Sequence, residues 1–144
     1  MARERYAVDV NLLMKMLFDQ QFPDATVATA SDVDAVDRLP FIIVNAGNGV
    51  RLESSSAGIA WQWNVHVTIL GNDLEYVSDL ADEIDEYMHS FGDSWIIGHG
   101  RIDGVGAIGG VEDISIPTKT AQAEVPTGDL VQFDGTYTVL VTKA

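Results

Sequence analysis

Residues 60–91, AWQWNVHVTILGNDLEYVSDLADEIDEYMHSF, contain the two elements around which the rest of the chain is organised. In residues 60–70 apolar and polar side chains alternate, and the apolar set is Trp61, Trp63, Val65, Val67 and Ile69. This period of two is typical of a β-strand that buries one face. At about 3.3 Å per residue the strand is about 36 Å long, and its two tryptophans can fill much of a core.

Residues 72–91 follow directly and change to helical spacing. Asn72 is the predicted N-cap, and Glu75 occupies the position that completes a capping box. The apolar residues then recur at intervals of three and four: Leu74, Val77, Leu80, Ala81, Ile84, Met88 and Phe91. This spacing predicts a long amphipathic helix that packs on the strand before it.

The composition indicates one globular domain over residues 1–144. Cysteine is absent, which excludes disulfides, thiolate nucleophiles and cysteine-based zinc sites and favours a reducing compartment. The first five residues, MARER, have no apolar core of a signal peptide. The longest apolar run, residues 41–44, is far too short to span a membrane.

The chain is strongly acidic, with 22 acidic and 8 basic residues and a net charge of −14. No Lys or Arg occurs between Arg51 and Arg101. Such a chain repels a phosphate backbone, so ordinary nucleic-acid binding is not expected. A surface that repels DNA and a surface that docks on a basic partner both remain open.

The segments on either side supply the other elements. Residues 9–21 predict a first helix that ends before Pro23, residues 25–30 a short strand, and residues 41–44 a strand covered on both faces. The glycine- and serine-rich residues 45–58 indicate a turn or a long flexible hairpin. Further on, we expect a loop or bulged strand (98–110), a strand closed by Pro117 (111–117), a long polar loop (118–129) and a terminal strand (131–142).

This order of elements predicts an α+β fold. Its sheet is expected to be mixed but mainly antiparallel, with four to five strands. Both helices are expected to pack on one face of that sheet, and long loops are expected to connect the strands.

The motifs that could indicate an enzyme or a bound cofactor lack their required context. Gly104, Gly106 and Gly109 fit G-x-G-x-x-G, but a strand-like segment follows where a dinucleotide site needs a helix. Asp32, Asp34 and Asp37 lack the glycine and glutamate spacing of a calcium loop. We therefore predict no cofactor.

The histidines and serines give no better case for catalysis. His66, His89 and His99 form no H-x-x-x-H pair, so no zinc site is expected. Ser94 near His99 lacks the G-x-S-x-G elbow of a hydrolase. The sequence therefore predicts neither a catalytic residue nor a metal site, and it predicts that the protein is not an enzyme.

The predicted second helix carries an unusual row of acids opposite its apolar stripe: Glu75, Asp79, Asp82, Glu83 and Glu86. Like charges four residues apart cost about 0.2–0.5 kcal/mol per pair. A face that serves only solubility usually mixes in Lys or Arg, and none occurs here. The row therefore indicates a functional acidic surface, with a solubilising face as the alternative.

In its order of elements, the chain resembles the tail terminator (tail completion) proteins of long-tailed bacteriophages. The resemblance covers most of the chain: an amphipathic helix (8–21), a strand after a proline (40–46), the tryptophan-bearing strand (60–70) and the acidic helix (73–90). A glycine-rich segment then leads to a strand ending in Ile116-Pro117, and a polar loop precedes the terminal strand GTYTVLV (135–141).

The resemblance implies a structural protein without catalytic residues. Such proteins form a ring, usually hexameric, at the head-proximal end of the tail tube. The ring stops polymerisation of the tail-tube protein and presents a surface to the head–tail connector or neck protein, while DNA passes through its hole. The protein would be assembled in the bacterial host cytoplasm and reside in the virion, away from any membrane.

In that setting, the five acids of the second helix are expected to face the lumen, where a negative wall lets DNA slide. The segment around Arg51 and Glu53 is expected to be an assembly loop, and the long polar loops are expected to contact neighbouring subunits or the tube.

Other functions remain open on the sequence. Head-completion or neck proteins and tail-tube subunits contain a similar combination of helices and strands. An acidic module that mimics DNA or inhibits a basic protein would need only the net charge. The hypothesis of a small enzyme is supported only by the glycine pattern.

Overall fold

The computed structural model describes residues 8–30, 38–54, 58–91, 99–125 and 128–144. In these residues the chain forms two helices and six strands, which confirms the predicted α+β class with more strands than expected. The elements are α1 (Val10–Gln21), β1 (Thr26–Ala28), β2 (Phe41–Ser54), β3 (Gly58–Gly71), α2 (Leu74–Ser90), β4 (Arg101–Ile102), β5 (Gly106–Val125) and β6 (Gly128–Thr142).

The strands form one mixed sheet in the order β1-β2-β3-β6-β5-β4. β1 is parallel to β2, and the remaining pairs are antiparallel. β3 and β6 are central and pair without interruption, from Ala60 opposite Thr142 to Gly71 opposite Val131. The sheet is therefore built from two long hairpins, β2–β3 and β5–β6, that meet along β3 and β6.

Both helices cover the same face of the sheet, as predicted. On β3 this face carries Val65, Val67 and Ile69, which are completely buried. The apolar stripe of α2, including Val77 and Ile84, packs into the same core. The periodicities of strand and helix therefore give the correct buried face for both central elements.

The first helix begins one residue inside its predicted range of 9–21, and the predicted cap of the second helix is wrong. Asp9 caps α1, because its carboxylate accepts a hydrogen bond from the Leu12 N–H at 3.1 Å. α2 is capped by Asp73 rather than Asn72, and this side chain makes no capping hydrogen bond. Asn72 is too early because β3 pairs with β6 as far as Gly71, so the chain turns before the helix begins. The predicted capping box is therefore wrong.

Two segments with a loop-like composition are strands. The first was expected to be a turn or a long flexible hairpin, and the structure has the hairpin; the second was expected to be a long polar loop, which is wrong. Residues 45–54 belong to β2 and pair with β3, and residues 118–125 belong to β5 and pair with β6. Their small and polar residues are tolerated because hairpin pairing satisfies most of the backbone, apart from shifts of register between Gly47 and Val50 and between Lys119 and Ala121. The connecting residues 55–57 and 126–127 lie outside the described part of the chain.

β5 is a strongly bulged strand. Its register with β6 shifts four times, between Ile108 and Gly110, Asp113 and Ser115, Ser115 and Thr118, and Lys119 and Ala121. Pro117, which we expected to close the strand, lies inside one of these irregularities. A bulge tolerates proline because the missing N–H is not required by the ladder there.

Gly135 on β6 lies against this irregular part of β5, and replacing it with alanine tests how tightly the two are packed. A Cβ atom at position 135 would be 2.8 Å from the Pro117 nitrogen and 3.0 Å from its Cα. Because backbone cannot yield easily, we expect Gly135→Ala to lower the free energy of unfolding by about 1–3 kcal/mol. Urea unfolding measures this change.

Gly110→Ala on β5 is the matched control. Nothing lies within 4 Å of a Cβ atom placed there. The added methyl group should leave stability unchanged or raise it by about 0.4–1 kcal/mol through the unfolded chain. Equal effects of the two substitutions would show that the contact between β6 and Pro117 is looser than described.

Candidate functional site

The five acids singled out in the sequence lie together on the outer face of α2. Each of the five is exposed, and they lie opposite the buried residues Val77, Ile84 and Met88. At 1.5 Å per residue the row from Glu75 to Glu86 is about 17 Å long. The helix itself contains no Lys or Arg, so α2 presents a continuous negative stripe.

Arg51 and Glu53, assigned to an assembly loop, lie instead on the outer part of β2. Their backbones pair with those of Trp61 and Ile59 on β3. The loop assignment is wrong because β2 continues to Ser54, and the side chains of both residues lie outside the described part of the structure. They belong to the β2–β3 hairpin and not to the acidic face of α2.

A small apolar surface lies on β5. Ile114 and Ile116 are 58% and 49% exposed, the highest values among the exposed large hydrophobic residues described. β4 pairs only with Gly106 and Ala107, so the outer edge of β5 beyond that point has no strand beside it among the described residues. Two exposed isoleucines on such an edge are suited to contact with another protein.

The helix-free face of the sheet is polar and centred on Asp134. Its carboxylate accepts hydrogen bonds from Thr68 Oγ1 at 2.6 Å, from Gln132 Nε2 at 2.8 Å and from Thr120 Oγ1. Burial alone would raise the pKa of Asp134, but these hydrogen bonds together with His66 hold it below its ordinary value. The polar groups around Asp134 are therefore hydrogen-bonded to one another, and they favour the ionised form of its carboxylate.

The depressions of the surface are shallow. One of about 360 Å³ lies on the helix-free face between Gln62 and Leu140, and a second of about 360 Å³ lies where α1 ends beside α2. Ligand sites usually enclose most of their ligand with a few convergent polar groups. Neither depression is closed in this way.

The second depression contains a serine–histidine pair. Ser90 Oγ lies 2.6 Å from His99 Nε2 and also donates a hydrogen bond to the carbonyl oxygen of Tyr87. Since the hydroxyl proton is directed at that carbonyl, the contact with His99 requires the imidazole to donate. A catalytic base would have to accept this proton instead. The pair is therefore a structural contact that holds the last residue of α2, Ser90, against His99.

Tyr87 beside this pair joins the two helices. Its hydroxyl donates to the carbonyl oxygen of Leu17 at 3.1 Å, and burial raises its pKa to about 12. Its ring meets those of Phe18, Phe22 and Phe91 at edge-on angles. This aromatic cluster fixes the position of the acidic helix relative to α1.

A cluster not anticipated from the sequence joins α2 to β5. His89 Nε2 lies 2.7 Å from Asp113 Oδ1, and His89 Nδ1 lies 3.5 Å from Asp85 Oδ2. Asp85 and His89 are four residues apart on one helix, which the sequence shows. Asp113 could not be added, because its position depends on the bulged pairing of β5.

The glycine motif is followed by a strand, and the aspartate cluster lies outside the described residues. Gly104 has a φ of +81° in the turn before β5, and a strand follows it, as the sequence indicated, rather than the helix of a dinucleotide site. Asp32, Asp34 and Asp37 lie outside the described part of the chain.

In the described part of the chain, neither helix has the length and apolar character needed to cross a membrane.

Comparison with known proteins identifies a shared fold. No family model matches the chain, and no curated protein matches it. Among solved structures, it is similar to a chain of a structure titled "Virion of native gene transfer agent (GTA) particle". The two share 15% sequence identity with a TM-score of 0.51, covering 94% of this chain and 98% of that one. The likeness extends over most of both chains and shows that they have the same fold.

Proposed function

We propose that this chain is a structural virion protein that forms a ring at the head-proximal end of a phage tail. The ring is a hexamer, as its resemblance to tail terminators implies. The ring stops polymerisation of the tail tube and provides the surface that joins the head connector. The observation that carries the proposal is the likeness, over 94% of this chain, to a chain of the virion of a gene transfer agent. The chain acts by assembly and not by catalysis.

The acidic stripe of α2 supports a role for the ring as a passage for DNA. Glu75, Asp79, Asp82, Glu83 and Glu86 are held on one exposed face by the buried opposite side of the helix. A wall of negative charge repels phosphates and prevents the genome from sticking. We place this stripe in the lumen of the ring.

Ring closure requires a contact strong enough to hold like-charged subunits together. Each copy carries a net charge of −14, so copies repel one another. The exposed Ile114 and Ile116 on β5 offer apolar area that can offset this repulsion. We assign this surface to a second copy of the chain, and the β2–β3 hairpin with Arg51 and Glu53 to the tube or the connector.

Electron microscopy of particles made without this protein tests the proposal. We expect overlong tails or tails without heads. Normal particles would contradict a role in the virion, the absence of all tails would indicate a tube subunit, and complete tails beside filled heads would indicate a neck protein. In a reconstruction of the intact particle, α2 on the outside of the ring would contradict the lumen assignment.

The net charge favours one other candidate, an acidic module that binds a basic protein. Size-exclusion chromatography distinguishes the two. A ring protein associates at raised concentration or with tail-tube subunits, and raised salt promotes self-association by screening the like charges. A DNA mimic stays monomeric or dimeric, and its complex with a basic target dissociates as salt is raised.

A further inference from the structure

Asp85, His89 and Asp113 place three potential metal ligands at one point on the surface. Each offers one ligand atom, and the three atoms lie within 4.8 Å of one another. Two of the residues lie one turn apart near the end of α2, and the third comes from β5. The side chains are 29–43% exposed, so the cluster is open to solvent on one side.

The chemistry of these side chains fits a divalent transition metal. A neutral imidazole and two carboxylates are ligands of zinc, and sites with three protein ligands keep further positions for water. The imidazole sets this cluster apart from a purely acidic patch, because calcium and magnesium prefer oxygen ligands alone. The surrounding helix has acids but no Lys or Arg, which favours a cation.

A buried tyrosine fixes one of the carboxylates. The hydroxyl of Tyr137 donates to Asp85 Oδ1 at 2.6 Å, which leaves Oδ2 directed at His89. Metal ligands are commonly oriented by such outer hydrogen bonds.

The bulge in β5 brings the third ligand into place. Asp113 lies opposite Tyr137 in the ladder, and the register shift between Ile108 and Gly110 sets this pairing. Bulges redirect side chains in this way and recur beside functional sites. Asp113 consequently reaches across to α2 and comes within 2.7 Å of the imidazole.

We propose that Asp85, His89 and Asp113 bind a divalent transition-metal ion, with zinc as the best match, which fastens α2 to β5. Ligand atoms around a tetrahedral zinc at about 2.1 Å are about 3.4 Å apart, so the contact between His89 and Asp113 must open by about 0.7 Å. The ion takes the place of the hydrogen between His89 Nε2 and Asp113 Oδ1. Asp85 Oδ2, which lies 3.5 Å from the other ring nitrogen, Nδ1, must in addition turn toward the Nε2 side to bind the same ion. The proposal is independent of the ring and of the particle in which the chain resides.

Zinc titration of the full chain tests the site, with calorimetry for binding and thermal unfolding for stability. At a zinc concentration about 100-fold above the dissociation constant, we expect the Tm to rise by about 5–10 °C over that in EDTA. Asp113→Asn and His89→Gln should each weaken zinc binding by about 10-fold or more, because one of three ligands is lost.

Glu112→Gln is the matched control, since Glu112 is the exposed neighbour of Asp113 on β5 and the substitution removes the same single charge. It should bind zinc like the unaltered chain. Equal losses in Glu112→Gln and Asp113→Asn would mean that zinc only collects on an acidic surface, and would overturn the proposal. So would an unaltered chain that shows no zinc-dependent change in Tm.

Cobalt absorption keeps the test decisive if a variant is unstable. Cobalt bound to the unaltered chain through one nitrogen and two carboxylates should give the visible bands of a four- or five-coordinate ion. A spectrum like that of hexaaqua cobalt would overturn the proposal regardless of how the variants fold.

Discussion

Replacing Phe18 with alanine should lower the free energy of unfolding by about 3–5 kcal/mol, the largest effect we expect from any single substitution described here. Phe18 is completely buried, and its ring lies 5.5 Å from that of Phe22 and 5.6 Å from that of Tyr87. The substitution removes the central ring between α1 and α2 and leaves a cavity there. Urea or thermal unfolding measures the loss.

Leu12→Ala provides the control on the same helix. Leu12 is 43% exposed, so its truncation should cost less than about 1 kcal/mol. If both substitutions had small effects, the aromatic cluster would not be holding the two helices together. If Phe18→Ala retained stability but released α2, the near-ultraviolet circular dichroism of the chain, to which Tyr87 contributes, would change without a change in the unfolding midpoint.

Replacing both Ile114 and Ile116 with threonine should leave the fold intact and weaken self-association by about tenfold or more. Burial of one such side chain contributes about 1.5–3 kcal/mol, and a tenfold change in association needs only about 1.4 kcal/mol. Threonine retains the β-branch that suits a strand, so the change acts on the surface. Sedimentation velocity at several concentrations measures the effect.

Leu74→Thr is the comparison for this experiment. Leu74 is 42% exposed but begins α2, on a different element from the two isoleucines. It should not change association. Self-association that survives loss of both isoleucines would remove β5 from the interface, while leaving the virion role to be decided by microscopy of the particles.

The sequence predicts well where the periodic pattern is local. The alternation in residues 60–70 and the helical spacing after it assign β3, α2 and their buried faces correctly, except at Leu74, which was predicted to pack on the strand and is 42% exposed. Both patterns come from neighbouring residues that share one face, so no knowledge of a distant partner is needed. The exposed acidic row of α2 follows for the same reason.

The errors arise where the structure of a segment depends on pairing with a strand that is distant in the sequence. Residues 45–54 and 118–125 have a loop-like composition, yet each pairs along a hairpin and becomes strand. Likewise, Pro117 reads as the end of a strand, but the bulged pairing of β5 accommodates it. The cluster around His89 could not be predicted because one of its members depends on that irregular register.

The irregular pairing of β5 also has an evolutionary consequence. β5 has 20 residues and β6 has 15, so the outer strand holds more residues than the ladder between them requires. Loss of a single residue at one of these places would straighten the strand and leave the pairs on either side aligned. The same deletion in β3 would turn every following side chain to the opposite face, because its pairing with β6 has no spare residue. Length variation among descendants of this gene should therefore accumulate at the sheet's margin and spare its centre.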